Sequence, residues 1–164
     1  MHRRVDGAKR VRSLVLAALI AAIYVTLVLV LAPVSYLAIQ VRIADALVGI
    51  VPLVGMPGVV GITIGVFIGN IASPLGPIDL ISALPSFLGL LALLQLRKVS
   101  VMAGLLAYSF IVSPWVAFEL SFILGVPYLL TFVYVAIGIL IATAGLGYLL
   151  FKAAKRAFGK HLDW

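Results

Sequence analysis

The chain has 164 residues, 65% of them apolar and only 10% charged, against the roughly 45–50% apolar content of an ordinary soluble domain. Twelve basic and five acidic residues cannot coat a compact soluble domain of this length, so the remaining solvent is lipid. At roughly 20 apolar residues per bilayer-spanning helix the chain supplies at most about six or seven crossings, which leaves no room for an ATPase, a DNA-binding module or a large enzymatic head. The absence of cysteine excludes disulfides, thiolate catalysis and cysteine-based metal or iron–sulfur sites.

Residues 1–12 form a basic arm with Arg3, Arg4, Lys9, Arg10 and Arg12, and an apolar run from Leu14 to Ala32 follows and stops at Pro33. That run predicts a first helix over about 13–33. It is longer than the apolar core of a secretory signal and no small-residue cleavage pattern follows, so a retained anchor is expected. Two short apolar segments, 43–54 and 57–72, flank the turn Gly55-Met56-Pro57-Gly58, and the second ends at Ser73-Pro74-Leu75-Gly76-Pro77. A fourth helix is expected over 78–96, with Pro85 inside and Arg97 and Lys98 closing it. A fifth covers 100–124 with Pro114 inside, and a sixth covers 127–151 after Gly125-Val126-Pro127. The tail, 152–164, carries Lys152, Lys155, Arg156 and Lys160.

Basic residues near membrane ends are retained on the cytoplasmic side. With six helices and the N-terminus inside, five basic residues of the arm, Arg97 and Lys98, and four of the tail put eleven of the twelve inside, with Arg42 outside. Fusing 43–72 into one helix would put the tail's basic residues outside. The sequence therefore predicts an all-α integral membrane protein, a six-transmembrane-helix bundle at residues 13–151 with both termini cytoplasmic in the cell membrane. As an α-helix, the twelve residues of 43–54 would span only about 18 Å, enough only if that helix is packed inside the bundle.

Polar residues at membrane depth are costly and mark function. In this topology Gln40, Arg42, Asp45, Asn70, Asp79 and Glu119 all fall on the outer half, and the inner half is almost purely apolar. That is a poor design for a channel or proton wire, which must be polar from side to side, and it reads as a pocket open to the outside. Plainer readings stand beside it. Arg42 and Asp45, three apart, can pair with each other; Asp79 can cap a helix N-terminus; Asn70 can close the last turn of its helix. Glu119 has neither a cap nor a local cation to explain it. Helical spacing puts Tyr108, Trp115 and Glu119 on one face, where a flat ring stacked on Trp115 could be gripped by an acceptor-only carboxylate, with Tyr36 closing over it. Interfacial anchoring is the alternative for the aromatic residues. In the first helix Ala17/Ala21 and Ala18/Ala22 are four apart, a spacing that lets another helix approach closely. No phosphate loop, zinc pattern or nucleophile elbow is present, so no cofactor, metal or enzymatic activity is expected, and coupling to ATP would require another chain.

The stretch from Ala32 to Leu47, with Gln40-Val41-Arg42-Ile43-Ala44-Asp45-Ala46, and the stretch Gly69-Asn70-Ile71-Ala72-Ser73-Pro74-Leu75-Gly76 with Asp79 resemble the QueT family over most of the chain. These are substrate-binding S components of energy-coupling factor (ECF) transporters, associated with queuosine precursors. The resemblance implies the six-helix S-component fold, with an outward pocket capped by the loop after the first helix. It also implies that Ala17, Ala18, Ala21 and Ala22 dock on a transmembrane coupling protein carrying two ABC-type ATPases, the S component toppling to release its cargo inside. The implied ligand is a 7-deazaguanine, with Glu119 meeting its N–H edge, Asn70 or Gln40 its oxygen or N7 side, Trp115 stacking, and Asp45 or Asp79 pairing an aminomethyl cation. Relatives carry polar groups near Val112 and Ile139, where this chain is apolar, which bears on the exact ligand. An S component for a different vitamin or nucleobase-like ligand, and a stand-alone small carrier, are the alternatives; whether uptake needs ATPase partners separates the second.

Overall fold

The computed structural model describes residues 2–31 and 42–158, and among them every regular element is helical. Six helical stretches succeed one another: α1 (His2–Val30), α2 (Ile43–Val54), α3 (Met56–Asn70), α4 (Pro77–Leu96), α5 (Val101–Leu124) and α6, which runs from Tyr128–Leu140 through Ile141–Gly147 to Tyr148–Phe158. Four of them contain spans long and apolar enough to cross a bilayer, Gly7–Val30, Pro77–Leu96, Val101–Leu124 and Tyr128–Ala157; α2 and α3 are shorter apolar helices. The breaks follow local chemistry. Gly55, at φ 71°, reverses the chain between α2 and α3, and Gly125, at φ 67°, closes α5 in the left-handed conformation that other residues adopt at a cost. The basic arm is not a separate segment: α1 starts at His2, since no proline interrupts residues 2–12.

The shortest helix is the most enclosed. No residue from Arg42 to Val54 is exposed. Its first eight residues, Ile43–Ile50, are wound as a 3₁₀-helix, which rises about 2.0 Å per residue, so α2 reaches about 22 Å instead of the about 18 Å of an α-helix. Its main partner is the Ile141–Gly147 segment of α6, wound as a π-helix. The narrowed helix faces the widened one, and their backbones touch: a Cβ on Gly49 would overlap the carbonyl oxygen of Gly147.

α1 lies against α3 through glycines spaced by four. A Cβ on Gly61 would sit 2.6 Å from the Ala17 carbonyl oxygen, one on Gly65 2.9 Å from Cβ of Tyr24, and one on Gly69 3.3 Å from a Val28 methyl. In lipid, where apolar burial gives helices little reason to associate, such close approach supplies the van der Waals contact. It buries Ile20, Tyr24 and Val28. From α3 the neighbours run α4, α5, α6, α2 and back to α1, around a core that includes Val48, Ile62, Leu90, Leu105, Val116 and Val135. The outward faces are as apolar as the core, with Leu14, Phe110, Phe122 and Leu129 exposed, the arrangement of a chain solvated by lipid.

Named hydrogen bonds pin the two ends. At the end that holds Arg97, its Nη1 donates to the Pro52 carbonyl at 2.9 Å, satisfying one of the carbonyls left open where α2 stops. At the other end, Arg42 reaches the end of α3 and the start of α4.

Candidate ligand-binding site

Alternation of helix direction brings the start of α2, the end of α3, the start of α4 and the end of α5 to one end of the bundle, where the buried polar residues gather. Arg42, 7% exposed, donates from Nη1 to Asn70 Oδ1 at 3.2 Å and from Nη2 to Asp79 Oδ2 at 3.3 Å. Asn70 Nδ2 in turn donates to the Asp79 backbone carbonyl at 2.8 Å and to its Oδ1 at 2.9 Å. Three segments are thus tied together by one cation, one amide and one fully buried carboxylate. Removal of any one leaves the others short of a partner where little water is present to replace it.

Two of the plainer sequence readings do not describe these side chains. Arg42 forms its ion pair with Asp79, 37 residues away, and not with Asp45. Asp79 does not cap α4, whose start has no side-chain cap; its carboxylate faces Asn70 and Arg42. Asp45 is 4% exposed, and its Oδ1 accepts from the Tyr24 hydroxyl of α1 at 2.6 Å. Tyr24 can reach it because Gly65 lets α1 approach α3.

A second group forms between α4 and α5. Glu119, fully buried, accepts from Trp115 Nε1 on Oε1 at 2.6 Å and from the Ser82 hydroxyl on Oε2 at 2.7 Å; Trp115 Nε1 also lies 3.1 Å from Ser82 Oγ. The expected neighbourhood of Trp115 and Glu119, four apart on one helix, is present, with the indole N–H directed at the carboxylate. The Trp115 ring packs obliquely on Phe118, centroids 5.8 Å apart. Deeper along α5, the hydroxyls of Ser109 and of Thr143 in α6 lie 2.7 Å apart, one donating to the other, and each is also within hydrogen-bond distance of the carbonyl one turn back on its own helix.

Between the two polar groups lies a cavity lined by Tyr24, Arg42, Asp45, Ser82, Ser86, Tyr108, Val112, Val116 and Ile139. Its interior is about 10 Å³, room for about one water. Of the residues singled out from sequence, Arg42, Asp45 and Tyr108 line it. Asn70 and Asp79 stand behind Arg42, and Glu119 and Trp115 stand behind Ser82. Tyr36 and Gln40 lie outside the described residues. Val112 and Ile139, the apolar positions noted in the sequence, form part of the wall. Sequence reasoning passed over Tyr24, Ser82 and Ser86. Tyr24 stands out as a hydroxyl within the apolar run of α1, and Ser82 and Ser86 are spaced by four on one helix face.

A distinct feature lies on the outer face of α1 and α3, a groove of about 750 Å³ lined by Leu14, Ala17, Ala18, Ala21, Ala22, Val25, Thr26, Val60, Ile64 and Ile68. The four alanines divide. Ala17 and Ala21 are 7% and 6% exposed and turn toward α3, whereas Ala18 and Ala22 are exposed.

The model of the QueT transporter family matches residues 14–156, and the chain belongs to that family. No curated protein and no solved structure matches it. It is a transporter protein of the membrane with several apolar helices, and the family is one of transporters, not enzymes.

Proposed function

We propose that this chain is the membrane-embedded substrate-binding S component of an ECF-type importer, and that its ligand is a queuosine precursor of the 7-deazaguanine type. The observation that carries the reading is the convergence of buried Arg42 and Asp45 with hydroxyls on one cavity, with buried Asn70 and Asp79 bonded to Arg42 behind it, at one end of an otherwise apolar bundle. Such a site binds a small polar molecule and offers it no polar route onward. In this reading all six helices cross the membrane, α2 by virtue of its 3₁₀ winding and enclosure, with the polar end outside and both termini in the cytoplasm.

The groove at Ala18 and Ala22 is the face proposed to dock on the transmembrane coupling protein, which two ABC-type ATPases would energise; Ala17 and Ala21 form its floor by holding α1 on α3. The test is uptake of labelled 7-aminomethyl-7-deazaguanine by cells that lack their own route for it. Uptake only when the chain is co-expressed with a coupling protein and two ATPases supports the proposal. Uptake by the chain alone identifies a stand-alone carrier.

A further inference from the structure

Three buried carboxylates stand near the cavity, and the structure accounts for their oxygens differently. Asp79 spends Oδ1 on Asn70 and Oδ2 on Arg42. Glu119 spends Oε1 on Trp115 and Oε2 on Ser82, and is not among the cavity's lining residues. Asp45 spends Oδ1 on Tyr24, and its Oδ2 accepts from no described residue although Asp45 lines the cavity. With one oxygen that meets no donor among the described residues and a place on the cavity wall, Asp45 is the acid positioned to accept from a ligand.

We propose that Asp45, fixed by the Tyr24 hydroxyl, reads the hydrogen-bond donors on one edge of a flat heterocyclic ligand, and that Glu119 is a positioning residue that holds Ser82 and Trp115. The rest of the lining agrees with this chemistry. Arg42 only donates, and Ser82, Ser86 and Tyr108 can donate or accept. Val112, Val116 and Ile139 supply an apolar wall for a ring face. The ligand this combination fits has adjacent N–H donors on one edge, acceptors elsewhere and an unsubstituted flat face.

An interior of about 10 Å³ cannot hold a bicyclic base. The Tyr24–Asp45 bond, 2.6 Å, falls within the about 2.5–2.7 Å expected of a hydroxyl on a carboxylate. The recognition pair is formed before the ligand arrives, so the wall opens elsewhere on entry.

The assignment rests on the ligand class proposed above, and the experiment separates the two. The solubilised full chain is titrated calorimetrically with 7-deazaguanine and with 7-deazahypoxanthine, which lacks only the exocyclic amine. The native protein prefers the first by at least about tenfold, because the second leaves an acceptor of a buried carboxylate unpaired. In Asp45→Asn that preference falls below about threefold. In Glu119→Gln both ligands weaken together and the preference stays, the split expected of a positioning residue. Tyr24→Phe, which keeps the ring and frees the carboxylate, gives a second reading if Asp45→Asn does not fold: the preference drops by at least about threefold. A folded Asp45→Asn that keeps the native preference overturns the assignment, as does an unchanged preference in Tyr24→Phe or its loss in Glu119→Gln alone. A native protein that binds neither probe overturns the ligand class and the assignment together.

Discussion

Gly65→Ala tests how the packing of α1 reaches the site. A methyl at this position would lie 2.9 Å from Cβ of Tyr24 and 3.0 Å from its Cγ and Cδ1, where ordinary contact begins at 3.4 Å. The tyrosine cannot swing aside without giving up its 2.6 Å bond to Asp45, and its Cβ moves only with the backbone. α1 must therefore shift by about 0.5 Å away from α3, which loosens the close approach it also makes at Gly61 and Gly69. Overpacking of this kind costs about 2–3 kcal/mol. The exchange of glycine for alanine in a helix returns about 1 kcal/mol, leaving a net loss of about 1–2 kcal/mol, or about 2–8 °C in melting temperature for a chain of this size. Thermal unfolding of the solubilised protein measures it. The control is Gly7→Ala, also in α1, where a Cβ meets nothing within 4 Å; it is expected to be neutral or slightly stabilising. A Gly65→Ala protein as stable as the native one, or more so, would refute the claim that glycine is there for close approach.

Gly49→Ala places its Cβ inside the Gly147 carbonyl, with no side chain able to yield, so monodisperse protein recovered in detergent should fall sharply; normal recovery would contradict the α2–α6 backbone contact. Asn70→Leu removes the amide shared by Arg42 and Asp79 and should cost about 2–4 kcal/mol in unfolding experiments, a loss that Asn70→Asp should not repair because it sets a second carboxylate beside Asp79. Arg97→Ala frees the Pro52 carbonyl and should cost about 0.5–1.5 kcal/mol of stability with ligand affinity unchanged, since the contact is at the opposite end. The pair Ala18→Leu and Ala22→Leu should leave the melting temperature within about 2 °C of native and abolish ATP-driven uptake; retained uptake would remove the docking role from that groove.

The hydropathy pattern and its breaks were readable because glycine, proline and charge act locally: the turns at Gly55 and Gly125 and the close of α4 before Arg97 fall where the residues put them. Arg42, Asn70 and Asp79 were identifiable as a set because buried charge needs a reason wherever it falls. Their mutual pairing was not, because partners 28 and 37 residues apart are set by the packing of α2, α3 and α4. The 3₁₀ winding of Ile43–Ile50 and the π winding of Ile141–Gly147 were hidden for the same reason: they face each other across the Gly49–Gly147 contact and have no signature in either segment alone. The glycines at 61, 65 and 69 repeat the four-residue spacing noticed for the alanines of α1, and they receive Ala17, Ile20, Tyr24 and Val28 of that helix. Tyr24 was overlooked because a tyrosine in an apolar helix resembles an interfacial anchor until the helix that it faces is known.

Calorimetric titration of the purified full chain in detergent with 7-aminomethyl-7-deazaguanine, its nitrile analogue, guanine and riboflavin tests whether the chain binds a deazaguanine. The account predicts one site per chain, submicromolar affinity for at least one deazaguanine and no saturable heat from riboflavin. Saturable binding of riboflavin with no heat from any deazaguanine would contradict it.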